Sequence, residues 1–88
     1  PPCPATLRVH PHMFWFFPSY LYGRYRQLDE PDADGWVRIH IVFEGFDQAR
    51  RVVLGFGANA EVIEPESLHQ AVIETAEAVL KFHAGRKR

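Results

Sequence analysis

The residues of this chain that could take part in chemistry are mainly histidines, placed in short stretches that alternate with apolar residues. His10 and His12 would project to the same side of an extended chain, and His40 has an outward position on another predicted strand. Three converging imidazoles would suit a zinc ion. Because Pro11 is expected to mark a turn between the first two, the pattern favours no metal and no cofactor. A small histidine-based metal-binding or catalytic domain stands as the alternative.

Other catalytic signatures are missing from the sequence. The glycines of Gly55–Gly57 follow a predicted helix, whereas phosphate-binding loops lie between a strand and a helix. Glu61, Glu64 and Glu66 cluster near the predicted start of the last helix, where negative charge is stabilising, so they are interpreted as helix-capping residues. The single cysteine, Cys3, lies in a proline-rich lead and can form no internal disulfide, which fits a reducing cytosol. We therefore predict a cytoplasmic protein that is not an enzyme.

The better-supported candidate site is the outward face of a sheet. Residues 5–10 and 36–43 alternate between apolar and polar, so each should form a half-buried strand. Basic and aromatic groups on an uncovered sheet face are typical of surfaces that bind single-stranded nucleic acid or a phosphorylated small ligand. The candidate ligand-binding residues on this face are Arg8, His10, Arg24, Arg26, Arg38 and His40. The sequence leaves open the alternative that this face binds no ligand and is only solvated or covered by a partner.

A second unusual feature is the aromatic segment that follows the first predicted strand. Its rings cannot all point inward from one short helix, so some should lie on the surface of an isolated domain and contact a partner. That partner is expected to be a second copy of the chain or a preceding domain. The candidate interface residues are Phe14, Trp15, Phe16, Phe17, Tyr20 and Tyr22, together with Trp36 at the edge of the sheet.

Composition and order of elements define the fold class. The chain has 88 residues, of which 47% are hydrophobic, and a formal net charge of −1, which predicts one small packed domain and gives no support for binding of duplex DNA by bulk charge. No apolar run reaches the roughly 20 residues of a membrane helix. The predicted order is strand, irregular helix, strand, loop, strand, helix, strand and helix. It corresponds to a ferredoxin-like βαββαβ fold of the α+β class with an additional C-terminal helix, in which helices cover one face of an antiparallel sheet.

Turn and helix signals give the boundaries of these elements. Pro18 is expected to kink or divide the irregular helix, and residues 29–35 are expected to form the loop of a hairpin. Residues 46–56 are predicted to form a helix that Gly55 and Gly57 end, residues 60–63 a strand, and Pro65 the start of the last helix. Residues 1–4 are expected to be a linker, residues 5–85 the domain and residues 86–88 a basic tail. The missing initiator methionine predicts a piece of a longer protein. The buried stripe of the last helix is predicted to comprise Leu68, Val72, Thr75, Ala76, Val79 and either Phe82 or His83.

Three segments of the chain resemble one family. Asp34-Gly35-Trp36-Val37, the stretch from Ala49 to Gly57, and Val62-Ile63-Glu64-Pro65-Glu66-Ser67-Leu68 with the amphipathic helix after it are similar to the WCX domain, the C-terminal extension of bacterial WYL-domain transcriptional regulators. The resemblance implies a winged helix-turn-helix that binds duplex DNA and a WYL domain, both upstream of residue 1. It also implies a role of this domain in dimerisation and in the response to an effector, which in some members is single-stranded DNA.

His69 is added to the candidate ligand-binding residues because of this resemblance. Family sequences usually carry an arginine at the position after the leucine of the last motif, where this chain has His69. The expected function is therefore a non-catalytic regulatory and dimerisation module that contributes to sensing of a nucleic acid or nucleotide. A stand-alone oligomerisation domain is a further alternative.

Overall fold

A computed structural model of the chain describes residues 1–15, 17, 21 and 23–86. The strands are β1 (Cys3–Val9), β2 (Tyr25–Gln27), β3 (Val37–Phe43) and β4 (Ala60–Glu64), and the helices are α1 (Phe46–Gly55) and α2 (Glu66–Ala84). Two short 3-10 helices, Pro11–Trp15 and Gly57–Asn59, follow β1 and α1.

The four strands form one antiparallel sheet in the order β2-β3-β1-β4. This arrangement confirms the predicted ferredoxin-like α+β fold with a C-terminal helix. α1 and α2 pack against each other, and α2 packs against β4. A sheet with helices on one side must bury its apolar side chains toward those helices, so its other side is left with the polar ones.

The two central strands show why the sequence predicted them well. β1 and β3 both alternate between buried and less buried residues along their whole length. Leu7 pairs with Ile39 and Val9 with Val37, and all four side chains lie in the core. Because directly paired residues project to the same side of a sheet, the polar partners of these strands share the opposite face.

β1 begins two residues earlier than predicted. Cys3 pairs with Phe43 and is buried, and Pro4 pairs with Val42, so the last two residues of the predicted linker belong to the sheet. Cys3 continues the apolar alternation through Ala5 into the core, whereas its proline neighbours made it resemble a linker. Burial raises the pKa of the Cys3 thiol, which disfavours the reactive thiolate.

The aromatic segment begins as the irregular helix that the sequence predicts. The 3-10 helix Pro11–Trp15 buries Met13, and Phe17 and Leu21 also lie in the core. Residues 16, 18–20 and 22 lie outside the described part of the chain, and with them the predicted break at Pro18. The predicted hairpin between β2 and β3 is confirmed, and Gly35 near its end has a positive φ of 86°.

α1 and α2 begin close to where they were predicted. α1 buries Ala49 and Val53 and ends at Gly55, while Phe46 at its start is 41% exposed. Pro65 caps α2 with an extended backbone, and its peptide bond to Glu64 is cis.

The predicted buried stripe of α2 is wrong beyond its first half. Leu68 is fully buried and Val72 packs against the core, but Val79 is 50% exposed and Phe82 is 80% exposed. The reason is length: α1 has 10 residues and α2 has 19, which correspond to about 15 Å and about 28 Å. The last turns of α2 therefore extend past the layer that could cover them. None of the helices in the described ranges is long and apolar enough to cross a membrane.

Candidate functional site

The candidate site is the helix-free side of the sheet, which we call the open face. Its residues fall into rows that run across the strands, since paired residues project to the same side. The rows are Arg26, His40, Thr6 and Glu64, then Arg38, Arg8 and Glu61, and at the end of the sheet Trp36 and His10. The structure thus places five of the seven predicted ligand-binding residues and the predicted tryptophan on one surface.

The indole of Trp36 contacts two neighbours on the open face. The guanidinium carbon of Arg8 lies 4.7 Å from the centroid of the Trp36 ring. The imidazole of His10 meets the same indole edge-on, with the ring centroids 5.5 Å apart. A guanidinium over an indole is a favourable cation–π contact, and it orders both side chains.

Asp32, in the loop between β2 and β3, fixes this cluster. Its Oδ2 accepts hydrogen bonds from Arg8 Nε at 3.0 Å and from Arg8 Nη2 at 2.8 Å. Its Oδ1 accepts hydrogen bonds from the backbone N–H groups of Asp34 and Trp36. One carboxylate therefore closes the loop, positions the backbone of Trp36 and orients the arginine that covers its ring.

Two arginines of the open face, Arg8 and Arg38, have carboxylate partners. Arg38 donates a hydrogen bond to Asp29, and Arg8 has Glu61 4.0 Å away in addition to Asp32. The hydrogen bond from Arg38 lowers the pKa of Asp29, and the hydrogen bond from Arg8 lowers the pKa of Asp32. The predicted positive surface is consequently a surface of ion pairs, so an anionic ligand would have to displace a carboxylate or bind between the pairs.

The remaining basic candidates differ in position. Arg24, just before β2, lies 3.6 Å from Glu44. Arg26 is exposed and pairs with His40 across the sheet. His40 lines a shallow depression with Thr6, Glu64 and their neighbours Pro4, Ala5 and Pro65.

The three histidines of the alternative metal site do not all come together. The ring centroids of His10 and His12 are 4.6 Å apart, and the backbone N–H of His12 donates to His10 Nδ1. His40, however, is distant from this pair. Trp36, which contacts His10, precedes β3, and His40 lies four residues further along the chain. Four residues of a strand span about 13 Å. Within the described ranges, no group of three or more histidine, cysteine, aspartate or glutamate side chains could hold a metal ion.

His69 is separate from the open face. It lies on α2, next to the buried Leu68 and thus in the helix layer. Its Nδ1 is 3.4 Å from Glu66 Oε1. Hydrogen bonds from Gln70 and His69 lower the pKa of Glu66.

The predicted interface residues also divide between surface and core. Trp15 is 83% exposed, whereas Phe17 is buried and its ring stacks on Phe56 with centroids 5.3 Å apart. Phe14 is partly buried against the same core. Trp36 belongs to the open face, and Phe16, Tyr20 and Tyr22 lie outside the described residues.

Two features of these surfaces were missed by sequence reasoning. Asp32 was assigned only to a loop, because its partner Arg8 is 24 residues away in sequence and no local signal connects them. The exposed end of α2 was predicted to be buried, because apolar periodicity shows which side of a helix is apolar and not how far the neighbouring layer extends.

Together these observations define a ferredoxin-like α+β domain with one uncovered, ion-paired sheet face. Residues 1–80 match the model of the WCX domain, and the chain belongs to this family. It is 38% identical over 76 residues to Protein PafC from two strains of Mycobacterium tuberculosis, CDC 1551 / Oshkosh and ATCC 25618 / H37Rv. That match covers 86% of this chain and 23% of Protein PafC, so the chain spans about a quarter of this relative's length.

A solved structure shares the fold. The whole chain superimposes on 13% of Proteasome accessory factor B/C (PafBC) of Arthrobacter aurescens, with a TM-score of 0.74 and 22% sequence identity. The resemblance expected from the sequence motifs is thereby confirmed at the level of family and fold.

Proposed function

We propose that this chain is a non-catalytic regulatory module of a WYL-type bacterial transcriptional regulator. The observation that carries the proposal is the WCX match over residues 1–80 in a chain that aligns with 23% of Protein PafC. A domain of this family acts as the C-terminal extension of a larger regulator. Duplex DNA would be bound by a helix-turn-helix domain elsewhere in that protein, with a WYL domain adjoining this module in the cytoplasm.

The open face is the proposed effector surface of this module. Trp36 offers an aromatic ring, and Arg8, Arg26 and Arg38 offer guanidinium groups on the same side of the sheet. Aromatic rings stack on bases, and arginines bind phosphate oxygens in a bidentate manner. A single-stranded nucleic acid or a nucleotide matches this combination. The paired carboxylates imply modest affinity, because a phosphate would have to replace Asp29 or Asp32 beside its arginine.

Tryptophan fluorescence can test this surface directly. In a Trp15→Phe variant, Trp36 is the remaining tryptophan, so its emission reports on the open face. We expect a single-stranded oligothymidine of about 12 nucleotides to quench this emission, and AMP to compete with it. On the same background, Arg38→Glu should weaken binding by about tenfold, since it replaces a phosphate ligand by a repelling charge.

Arg51→Glu is the matched control, because Arg51 is exposed on α1, away from the open face. It should leave the affinity for the oligonucleotide unchanged. Equal losses in the two variants would mean that only net charge matters and would contradict a site on the open face. Absence of any spectral change with oligonucleotide or AMP would instead favour a pure oligomerisation domain.

The module is also proposed to contact a second copy of the chain. Trp15 is 83% exposed, and several apolar side chains of α2 are exposed as well. Large apolar side chains are enriched in interface cores, so these surfaces support a homodimer. The mass of the chain in solution, measured by sedimentation over a range of concentrations, tests this part of the proposal.

A further inference from the structure

The last turns of α2 carry an apolar surface that the described part of the chain leaves exposed. We call residues 73–84 the α2 end. Its large apolar side chains are substantially exposed: Ile73 by 39%, Val79 by 50%, Leu80 by 70% and Phe82 by 80%. By contrast, Leu68 near the start of the same helix is fully buried. An apolar patch of this kind on a small domain typically marks an interaction site.

One side of the α2 end suits close packing of a second helix. Ile73, Ala76, Leu80 and Ala84 follow one another at spacings of three and four residues, so they form a single stripe. Two alanines alternate with two larger side chains in this stripe. Such a pattern lets another helix approach closely while the larger side chains enter the gaps beside the alanines.

The charges of the α2 end show which orientation a second helix would take. Glu74 and Glu77 lie toward its start, whereas Lys81 and then Arg86 lie toward and just beyond its end. A parallel copy would place like charges side by side. An antiparallel copy places the acidic part of one helix against the basic part of the other and also opposes the two helix dipoles. The α2 end is therefore complementary to itself in the antiparallel orientation.

We propose that the α2 end pairs antiparallel with the α2 end of a second copy, about a twofold axis close to Val79. In this register Glu77 of each copy lies opposite Lys81 of the other, and the Leu80 side chains of the two copies lie next to each other at the axis. The Ile73–Ala84 stripe forms the contact, and the two ion pairs flank it. This inference rests on the homodimer of the proposed function and names the surface that forms it.

The size of this contact implies a reversible dimer. About three turns of helix from each copy bury less than the roughly 1,200–2,000 Å² of stable interfaces. We therefore expect monomers and dimers to exchange at micromolar concentrations of the isolated chain.

Sedimentation velocity over a concentration series, with each variant's fold checked by circular dichroism, tests the apolar part of the contact. Leu80→Glu should raise the dimer dissociation constant by about 100-fold or more, because the twofold axis brings two such changes into one interface. Ile63→Glu is the matched control, since Ile63 is also exposed, at 39%, but lies on β4. It should leave the dissociation constant within about twofold of the unmodified chain.

A charge swap tests the antiparallel register. Glu77→Lys alone and Lys81→Glu alone should each weaken the dimer by about fivefold, because each places like charges opposite one another twice. The double variant with both changes should restore the original dissociation constant, since the same pairs re-form with their signs exchanged. Arg51→Glu, on α1, should have no effect.

Each other outcome overturns a defined part of the proposal. A dimer that survives Leu80→Glu but is lost in Ile63→Glu forms through the sheet. This result would agree with a homodimer but would exclude the α2 end as its interface. Loss of the dimer in both single charge variants without rescue in the double variant excludes the antiparallel register. A chain that stays monomeric at all concentrations overturns the inference, and the oligonucleotide titration then decides separately whether the effector surface remains. Normal dimerisation with no spectral response to oligonucleotide or AMP overturns only the effector part.

Discussion

Asp32 organises part of the open face, although it lies in the loop between β2 and β3 and not in a strand. Its two carboxylate oxygens accept hydrogen bonds from the Arg8 guanidinium and from the backbone of Asp34 and Trp36. Arg8 in turn lies over the Trp36 ring. The order of the loop and the order of the cation–π pair are therefore coupled through this carboxylate.

Replacing Asp32 should disturb the open face more than replacing its neighbour Asp34. Asp32→Ala removes every hydrogen bond described above, so we expect a lower thermal midpoint and a red shift of Trp36 emission in the Trp15→Phe background. Asp34→Ala removes only a carboxylate that is 3.9 Å from Arg8 and mostly exposed, and should change neither signal appreciably. Equal effects of the two substitutions would show that Asp32 has no special role.

The same carboxylates predict a loss of order at low pH. Hydrogen bonds from Arg38 and Arg8 lower the pKa values of Asp29 and Asp32 in the folded chain. A lowered folded-state pKa contributes stability above the unfolded-state value of about 3.9, and this contribution is lost as the pH falls through the folded-state pKa. Near-ultraviolet circular dichroism of the Trp15→Phe variant should therefore keep its neutral-pH signal down to about pH 4 and decline below that pH. Asp32→Asn should remove much of this decline, because asparagine does not titrate.

At the residue scale, the sequence predicted which side chains share the open face better than it predicted their partners. Period-two alternation places Arg8, His10, Arg38 and His40 on one side irrespective of the rest of the fold. The pairing of Arg8 with Asp32 depends on the return of the chain through the hairpin after 24 residues. Local patterns contain no information about such a contact.

Among the elements, α2 has two halves with different environments. The first half packs on β4 and α1, whereas the second half extends beyond them. β1 and β3 could be predicted because neighbouring elements cover their apolar side along the whole length of each strand. The periodicity of α2 gave no indication that its apolar stripe continues past the domain, because a stripe that contacts a second copy has the same spacing as one that contacts the core.

Truncations at the two ends of α2 should have very different effects on stability. Leu68→Ala creates a cavity in the core, so we expect the free energy of unfolding to fall by about 2–5 kcal/mol. Leu80→Ala removes a side chain that is 70% exposed and replaces it by a strong helix former, so the change should be less than about 0.5 kcal/mol. Urea denaturation at a concentration where the chain is monomeric measures both values. A large loss for Leu80→Ala in the monomer would mean that the α2 end packs against its own chain.

The whole molecule presents two surfaces that the fold keeps apart. The open face lies on one side of the sheet, and α2 belongs to the helix layer on the other side. Helix pairing through the α2 ends would thus leave both open faces of a dimer accessible. A regulator built in this way could bind an effector on each subunit without opening the contact between them.

This separation predicts that the two activities of the domain respond independently to substitution. In the Trp15→Phe background, Arg38→Glu should weaken oligonucleotide binding and leave the dimer dissociation constant unchanged, because Arg38 lies on the face opposite to α2. Leu80→Glu should do the reverse, and the double variant should show the sum of the two free-energy changes, since well-separated sites are additive within about 0.5 kcal/mol. Parallel titration and sedimentation of the four proteins measure the coupling. A coupling free energy above about 1 kcal/mol would show that effector and second copy compete for one surface or share a conformational change, and it would contradict the independence of the two surfaces.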